Sequence, residues 1–333
     1  MAEFTHTVLF IRRGKIRREG DFLVVDDSRY PVAEVLGIVV AGNAQVTTQA
    51  VRLALDHGIP IAWVRRGDVQ GVSVPFQDRY VELRRRQWEV VLNRGSLRAA
   101  FAKSIVTTSI RARRAVLEFL DDLGFVDARP AINRLKRLER ATEGSNRTGA
   151  LRGYEGRAVR IYFRALSGAL PSWAFSGRRT RRPPRDPFNA AIGLGYMGAL
   201  LPVMTARTVA VGLDPFAGFL HEIRGRKPAL VLDLMDEWRA LAVDVPVLRL
   251  FLEGGLTQGD FHREGSGVRV QSAESVLAPV LSVLSRVRGG LLNAVDERLK
   301  ELRNGVRKGS APGPLKFDTG DVGAVWEVVQ GKG

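Results

Sequence analysis

The 333-residue sequence contains no cysteine, only four histidines, and few aromatic residues (8%). The absence of cysteine excludes disulfide bonds and thiolate metal sites. The longest apolar run, around residues 190–205, is shorter than the about 20 residues that a bilayer-spanning helix needs, and Arg207 follows it closely. The start, MAEFTHTVLFIRRGK, lacks the layout of a signal peptide because charges follow its short apolar run within a few residues. We therefore expect a soluble cytoplasmic protein.

Acidic residues are scarce relative to basic ones, with 35 Asp plus Glu against 51 Lys plus Arg and a formal net charge of +16. Such an excess attracts polyanions. Nucleic acid is the first candidate and an anionic membrane surface the second. Most of the basic residues are arginine, whose planar guanidinium binds phosphate through two parallel hydrogen bonds. No basic amphipathic helix with exposed aromatic residues is evident, which favours nucleic acid over a membrane partner.

The hydrophobic pattern changes near residue 80 and predicts two domains. Residues 1–78 contain short apolar runs separated by Gly, Asp and Ser, which is typical of β-strands, and one helix that begins at Thr47 or Thr48 and ends near His57. Residues 79–305 carry the 3.6-residue period of helices. The tail, residues 306–333, begins with a stretch rich in Gly and Pro, so we expect it to be loose.

A basic loop stands out between the predicted helices, at residues 176–186 (SGRRTRRPPRD). Two prolines keep it extended rather than helical. Asp186 can then cap a helix with Pro187 at its first position, and this helix, apolar nearly all round, is expected to be buried. The loop predicts contacts with the DNA backbone through five arginines, which are Arg178, Arg179, Arg181, Arg182 and Arg185.

Four side chains could carry chemistry. Glu155 shares a helix face with apolar residues, His221 ends a buried-looking run, and Asp233 and Asp236 lie on one face of an apolar helix. Each also has a purely structural interpretation. Glu155 could be a solvated residue paired with an Arg, and His221 a hydrogen-bonded core histidine. Asp233 and Asp236 could belong to an acidic first helical turn. Two like charges on one face repel unless a cation or an Arg lies between them. Together, carboxylates and an imidazole favour Mg²⁺ or Mn²⁺ in a nucleic-acid enzyme.

Four segments of the chain match one family pattern in order and spacing. They are GYEGRAVRIYF (153–163), RRPPRDPFNA with GYM (181–190 and 195–197), GLDPFAGFLH (212–221) and ALVLDLMDEWR (229–239). A weaker match is VTTQAVRLALDHGIPIAWV (46–64). On these residues the chain resembles the CRISPR-associated adaptation integrase and endonuclease, the Cas-one family. The resemblance covers about residues 5–300.

The resemblance implies an α+β multidomain fold, with an N-terminal β-sandwich-like domain that dimerises and a larger C-terminal all-α catalytic domain. It implies that Glu155, His221 and Asp236 are the catalytic metal ligands for Mg²⁺ or Mn²⁺, with Asp233 as a supporting acid. Asp236 departs from the Glu that many members carry at this position.

The partners implied by the resemblance are a foreign donor DNA duplex, the CRISPR repeat, a second copy of the chain and the small Cas-two family protein. The reaction would be attack of a donor 3′-hydroxyl on a phosphodiester of the repeat border. Two other functions remain open. One is a general metal-dependent nuclease that acts on branched or single-stranded nucleic acid. The other is a non-catalytic basic DNA-binding scaffold.

Overall fold

The computed structural model describes residues 7–65, 68–76, 80–93, 95–222, 225, 227–286 and 291–329. The domain boundary predicted between residues 78 and 79 and the last four residues of the predicted tail lie outside the described residues. The chain is rich in strands before this boundary and in helices after it.

The N-terminal region forms two four-stranded sheets from eight strands, which are β1 (Thr7–Ile11), β2 (Lys15–Glu19), β3 (Phe22–Val25), β4 (Ser28–Pro31), β5 (Val35–Ala41), β6 (Gln45–Val46), β7 (Ile61–Arg65) and β8 (Asp68–Ser73). The first sheet has the order β1-β5-β7-β8 and the second the order β4-β3-β2-β6. Apolar side chains of both sheets, among them Ile16, Leu23 and Ile38, share one core. The predicted β-sandwich-like fold is therefore confirmed.

Helix α1 (Thr48–Asp56) packs on this core. Its N-terminus is capped by the Thr47 hydroxyl, which accepts a hydrogen bond from the backbone N–H of Ala50. Gly58 follows the helix with a positive φ of 68°, a conformation that glycine adopts at no steric cost. The predicted start and end of this helix are confirmed.

The C-terminal region contains eleven further described helices, which are α2 (Val81–Asn93), α3 (Gly95–Asp122), α4 (Arg129–Glu143), α5 (Thr148–Leu166), α6 (Pro187–Gly195), α7 (Leu201–Ala210), α8 (Ala229–Arg239), α9 (Val245–Leu252), α10 (Glu274–Arg286), α11 (Leu291–Lys308) and α12 (Thr319–Val328). Helix α3 is the longest and is largely buried between α4, α5, α8 and α12. Single π-helical turns join α6 to α7 at Tyr196–Leu200 and α8 to α9 at Ala240–Asp244. Such turns occur frequently at functional sites.

Helices α6 and α7 form the apolar core helix that the sequence predicts. The Asp186 carboxylate caps it by accepting a hydrogen bond of 2.9 Å from the backbone N–H of Asn189, and Pro187 occupies its first turn. Counted through the π-helical turn, the helix Pro187–Ala210 is long and apolar enough to cross a membrane by length and composition alone. However, 78% of its most apolar window is buried inside the domain, as in the core helix of a soluble protein.

The tail differs from the expectation that it is loose. The backbone N–H of Leu315 donates to the Thr108 hydroxyl at 2.9 Å, and α12 buries Val322, Val325 and Trp326. Asp318 caps α12 by accepting a hydrogen bond from the backbone N–H of Asp321. The physical reason is that these apolar residues and the cap outweigh the preceding Gly and Pro residues.

The helical region also contains a β-hairpin that the sequence analysis did not predict. Strands β9 (Phe261–Glu264) and β10 (Gly267–Val270) pair in antiparallel fashion. The backbone N–H of Val268 donates to the Pro184 carbonyl at 2.9 Å. The hairpin is therefore hydrogen-bonded to the basic loop at Pro184.

Candidate active site

Helix α8 carries three acidic side chains into the protein interior, and Asp233, Asp236 and Glu237 are 0%, 2% and 0% exposed. Glu237 forms an ion pair with Arg298 of α11, with 2.6 Å between Nη2 and Oε1, and both side chains are fully buried. This pair fixes α8 against α11. Helix α8 is therefore a rigid support for its other two acids.

Asp233 organises the turn that ends at His221. Its carboxylate accepts hydrogen bonds from the backbone N–H groups of Phe219 (2.7 Å), Leu220 (2.9 Å) and His221 (2.9 Å). It also lies 2.6 Å from Nδ1 of the His221 ring, and this hydrogen bond raises the pKa of His221. Because a carboxylate only accepts, Nδ1 carries the proton and the neutral ring keeps the lone pair of Nε2 for a ligand.

Glu155 and Asp236 each face a buried or half-buried arginine. Oε1 of Glu155, on α5, lies 3.7 Å from Nη2 of Arg113 on α3. Oδ1 of Asp236 accepts a hydrogen bond from Nη1 of Arg239. Burial raises the pKa of Glu155, and the neighbouring Asp236 charge raises it further, against the opposing effect of Arg113, Arg239 and His221. The structure thus brings Glu155, Asp236 and His221 within electrostatic reach of one another.

The donor set fits a divalent ion in its chemistry. In the described parts of the chain, no three carboxylate or imidazole side chains converge closely enough to hold a metal as they stand. Each of the three side chains nevertheless keeps at least one donor atom without a hydrogen-bond or ion-pair partner among the described residues, namely Glu155 Oε2, Asp236 Oδ2 and His221 Nε2. Two carboxylate oxygens and one imidazole nitrogen are suited to Mg²⁺ or Mn²⁺.

The basic loop presents four of its five arginines to solvent, which are Arg178, Arg181, Arg182 and Arg185. Arg179 differs, because Nη1 of its guanidinium donates to Oδ1 of Asn189 at 2.7 Å and the group lies over the Tyr196 ring. The same Asn189 side chain accepts from the backbone N–H of Thr180 and donates to the carbonyl of Arg178. Arg179 is therefore partly buried, and its contact with the DNA backbone stays a prediction.

A groove of about 680 Å³ runs between α5 and the basic loop. Glu155 lies at its wall, and its lining includes the exposed Arg160 and Arg164 of α5 together with Arg178 and Arg181 of the loop. The groove connects a candidate ligand to a row of positive charges. Arg160 and Arg164 were not among the residues predicted from the sequence, although their i, i+4 spacing on a helix was a usable signal.

The arginines beside the candidate ligands were also not predicted from the sequence. Arg239 follows Asp236 by three residues on the same helix, so helical spacing could have identified it. Arg113 pairs with Glu155 from a helix distant in sequence. No local pattern signals that contact.

A family model described as "CRISPR associated protein Cas1" matches residues 8–276. A curated CRISPR-associated endonuclease Cas1 from Methanopyrus kandleri is 54% identical over 97% of this chain and 98% of its own. A second, Cas1 1 from Thermus thermophilus, is 35% identical over 75% of this chain and 76% of its own.

Solved structures show the same fold. A CAS1 protein from Thermotoga maritima superposes with a TM-score of 0.71 at 20% identity, over 93% of this chain and 100% of its own. A casposase bound to an integration product gives a TM-score of 0.65 at 20% identity, over 92% and 97%. A chain of a Cas6-RT-Cas1–Cas2 complex superposes with a TM-score of 0.71 at 25% identity over 93% of this chain. That polypeptide is longer, and the match covers only 36% of it.

Proposed function

Because this chain belongs to the Cas1 family of CRISPR-associated proteins, we propose that it is a metal-dependent DNA endonuclease and integrase of CRISPR adaptation. The observation that supports the proposal is that Glu155, in the wall of an arginine-lined groove, lies within electrostatic reach of His221 and Asp236. A nuclease site needs both ligands for a cation and a positively charged path for the phosphate chain, and the residue types present here are suited to both.

Glu155, His221 and Asp236 would hold Mg²⁺ or Mn²⁺ as catalytic ligands. When bound, the ion supplies stabilisation of the negative charge that develops on the phosphate. Asp233 keeps the His221 ring oriented through Nδ1. The exposed loop arginines hold the DNA backbone without reading its sequence. The donor 3′-hydroxyl would lose its proton as its oxygen forms a bond to phosphorus, the bond from that phosphorus to the 3′-oxygen of the target strand would break, and this leaving 3′-oxygen would take up a proton.

The proposed partners are DNA, a second copy of this chain and a small Cas2 protein, in the prokaryotic cytoplasm. Support comes from the casposase structure, which holds an integration product, and from the Cas6-RT-Cas1–Cas2 complex, which contains a Cas2 protein. The DNA would be a foreign donor duplex and the CRISPR repeat. Dimerisation would use the N-terminal β-sandwich.

A second candidate is a metal-dependent nuclease that cuts branched or single-stranded nucleic acid without joining strands. The curated relatives are named endonucleases, which favours this function. It would use the same ligands, because hydrolysis only replaces the attacking hydroxyl by water. A non-catalytic scaffold is less favoured, because all three ligand positions hold competent side chains.

The test is an integration assay. The full chain is mixed with a labelled donor duplex, a supercoiled plasmid that bears a CRISPR repeat, and Mn²⁺, with and without the Cas2 protein. We expect covalently joined donor, and we expect Glu155→Ala, His221→Ala and Asp236→Ala each to abolish joining while DNA binding is largely retained. Glu143→Ala, which removes an exposed acid at the end of α4, is the matched control and should join donor normally.

The outcomes separate the three functions. Fragments without joining, even with the Cas2 protein present, would favour the plain nuclease. DNA that is bound but unchanged would favour the scaffold. Near-normal joining by one of the three alanine variants would remove that residue from the ligand set.

A further inference from the structure

The Asp236 carboxylate has an unusual anchor. Among the described residues, its one hydrogen-bonding partner is Nη1 of Arg239, which binds Oδ1 and leaves Oδ2 free. Asp236 is almost fully buried, so water does not replace this contact. The direction in which Oδ2 points is therefore set by the position of the Arg239 guanidinium.

Arg239 is in turn held by the ring of Tyr196. Its guanidinium lies 5.2 Å from the ring centroid, within the range of a cation–π contact. Its Nε is buried and has no hydrogen-bond partner among the residues that the structure describes. The ion pair to Asp236 and the aromatic ring are thus its two main contacts. A planar guanidinium can make both at once, whereas an ammonium group cannot do so in the same geometry.

The ring itself is fixed by the two π-helical turns. Tyr196 begins the first turn, and its hydroxyl donates to Oδ1 of Asp244, which ends the second. Arg239 directly precedes that second turn. The turns approach so closely that a Cβ on Gly195 would lie 2.5 Å from a methyl group of Val243. Glycine is required there, and the close approach leaves the ring little freedom to move.

We propose that Arg239, seated on the Tyr196 ring, is a positioning residue that aims the free oxygen of Asp236 at the divalent ion. This inference rests on the proposed function, because it takes Asp236 as a metal ligand. A ligating carboxylate is commonly oriented by a hydrogen bond to its other oxygen, and loss of such a partner typically costs about 10–100-fold in metal affinity. Asp233 plays the equivalent part for His221.

Charge alone makes the opposite prediction for Arg239. A cation beside the site repels a divalent ion, so its removal should tighten metal binding if electrostatic repulsion dominates. The structure offers a matched control in Arg179, whose guanidinium lies 5.4 Å from the same ring but makes its hydrogen bonds to Thr180 and Asn189. Both arginines lose the same charge on substitution by Gln. Only one of them has Asp236 as a partner.

The experiment is a titration of the metal-stripped full chain with Mn²⁺, with free Mn²⁺ measured by electron paramagnetic resonance. We expect Arg239→Gln to weaken binding by about 10–100-fold and Arg239→Lys, which keeps the charge but loses the planar group, to weaken it by a smaller factor. Arg179→Gln should bind Mn²⁺ as tightly as the wild type or more tightly. Circular dichroism and thermal melting establish that each variant is folded. If Arg239→Gln fails to fold, Arg239→Lys decides the question.

Two results would overturn parts of the account separately. Binding by Arg239→Gln or Arg239→Lys that is within twofold of the wild type, or tighter, would show that the guanidinium does not position Asp236. Asp236→Asn should lose Mn²⁺ binding altogether. If Asp236→Asn bound Mn²⁺ normally, the proposed ligand set would fail, whatever the Arg239 variants do.

Discussion

Replacement of Asp233 by Asn changes one atom and should disturb the site in two measurable ways. In the native protein, Oδ1 faces two donors, the backbone N–H of His221 and ring Nδ1, and Oδ2 faces the N–H groups of Phe219 and Leu220. An Asn side chain has one oxygen and one NH₂ group. Whichever way it is turned, the NH₂ group meets two donors, so at least two charge-assisted hydrogen bonds are lost.

The magnitude follows from this count. A hydrogen bond to a charged group contributes about 1.5–3 kcal/mol, so two lost bonds at the lower limit give about 3 kcal/mol of lost unfolding free energy. His221 can restore one contact if Nδ1 becomes an acceptor. The ring proton then moves to Nε2, which can no longer bind a metal while it is protonated. We expect Mn²⁺ affinity to fall by about 10–100-fold.

The assays are urea denaturation, Mn²⁺ titration, and ¹⁵N NMR of labelled histidine, which distinguishes the two ring tautomers. Asp318→Asn is the matched control: it makes the same chemical change at the N-cap of α12, where Asn caps about as well as Asp. A folded Asp233→Asn protein with wild-type Mn²⁺ affinity, or with Nε2 still unprotonated in the neutral ring, would refute the reasoning.

Two further predictions concern the support of α8 and the DNA track. Arg298→Met leaves the fully buried Glu237 without its ion-pair partner and should lower the free energy of unfolding by about 3–5 kcal/mol. Combining it with Glu237→Leu should recover much of that loss in urea denaturation. If the effects of the two substitutions simply added, the pairing would be contradicted. Neutralising three exposed loop arginines should weaken binding to all DNA sequences alike. It should also reduce the slope of log binding constant against log salt concentration by about 2.7, as measured by fluorescence anisotropy. The control is Arg129→Gln, which removes one exposed charge from α4. Weakening for one sequence alone would mean that the loop reads bases. The arginines to be replaced are Arg181, Arg182 and Arg185.

Local signals in the sequence predicted the parts of the fold that depend on neighbours along the chain. Thr47 and Asp186 cap the helices that follow them because a short polar side chain satisfies free backbone N–H groups there. The i, i+3 spacing of Asp233 and Asp236 predicted that both lie on one face of the same helix, which is α8. Their like charges also predicted that an arginine or a metal offsets their repulsion. Arg239 is such an arginine.

The ion pairs and buried contacts between residues distant in sequence could not be predicted, because no local pattern signals them. Arg113 reaches Glu155 from another helix, and Arg298 reaches Glu237 across 61 residues of sequence. In the sequence, Arg179 cannot be distinguished from the other arginines of the basic loop. In the fold, its guanidinium donates a hydrogen bond to Asn189 and packs against the Tyr196 ring, so it is partly buried. A residue's charge is visible in the sequence, but the partner that buries it is not.

The same limit explains the tail. Its Gly and Pro residues predicted a loose segment, since composition weighs each residue without its partners. In the fold, the Gly313 carbonyl accepts from Arg298, and the Phe317 ring packs edge-on against Trp238 on α8. The segment is thus held against the helix that carries the candidate ligand Asp236.

The most direct test of the central claim is a diffraction experiment on crystals soaked in Mn²⁺, with data collected at the manganese absorption edge. The account predicts an anomalous peak within about 2.0–2.3 Å of Glu155 Oε2, Asp236 Oδ2 and His221 Nε2, in line with the short metal–ligand bonds of small divalent ions. That peak should disappear in Asp236→Asn crystals. A peak bound by other residues, or no peak here in crystals of a protein whose strand joining requires Mn²⁺, would contradict the account.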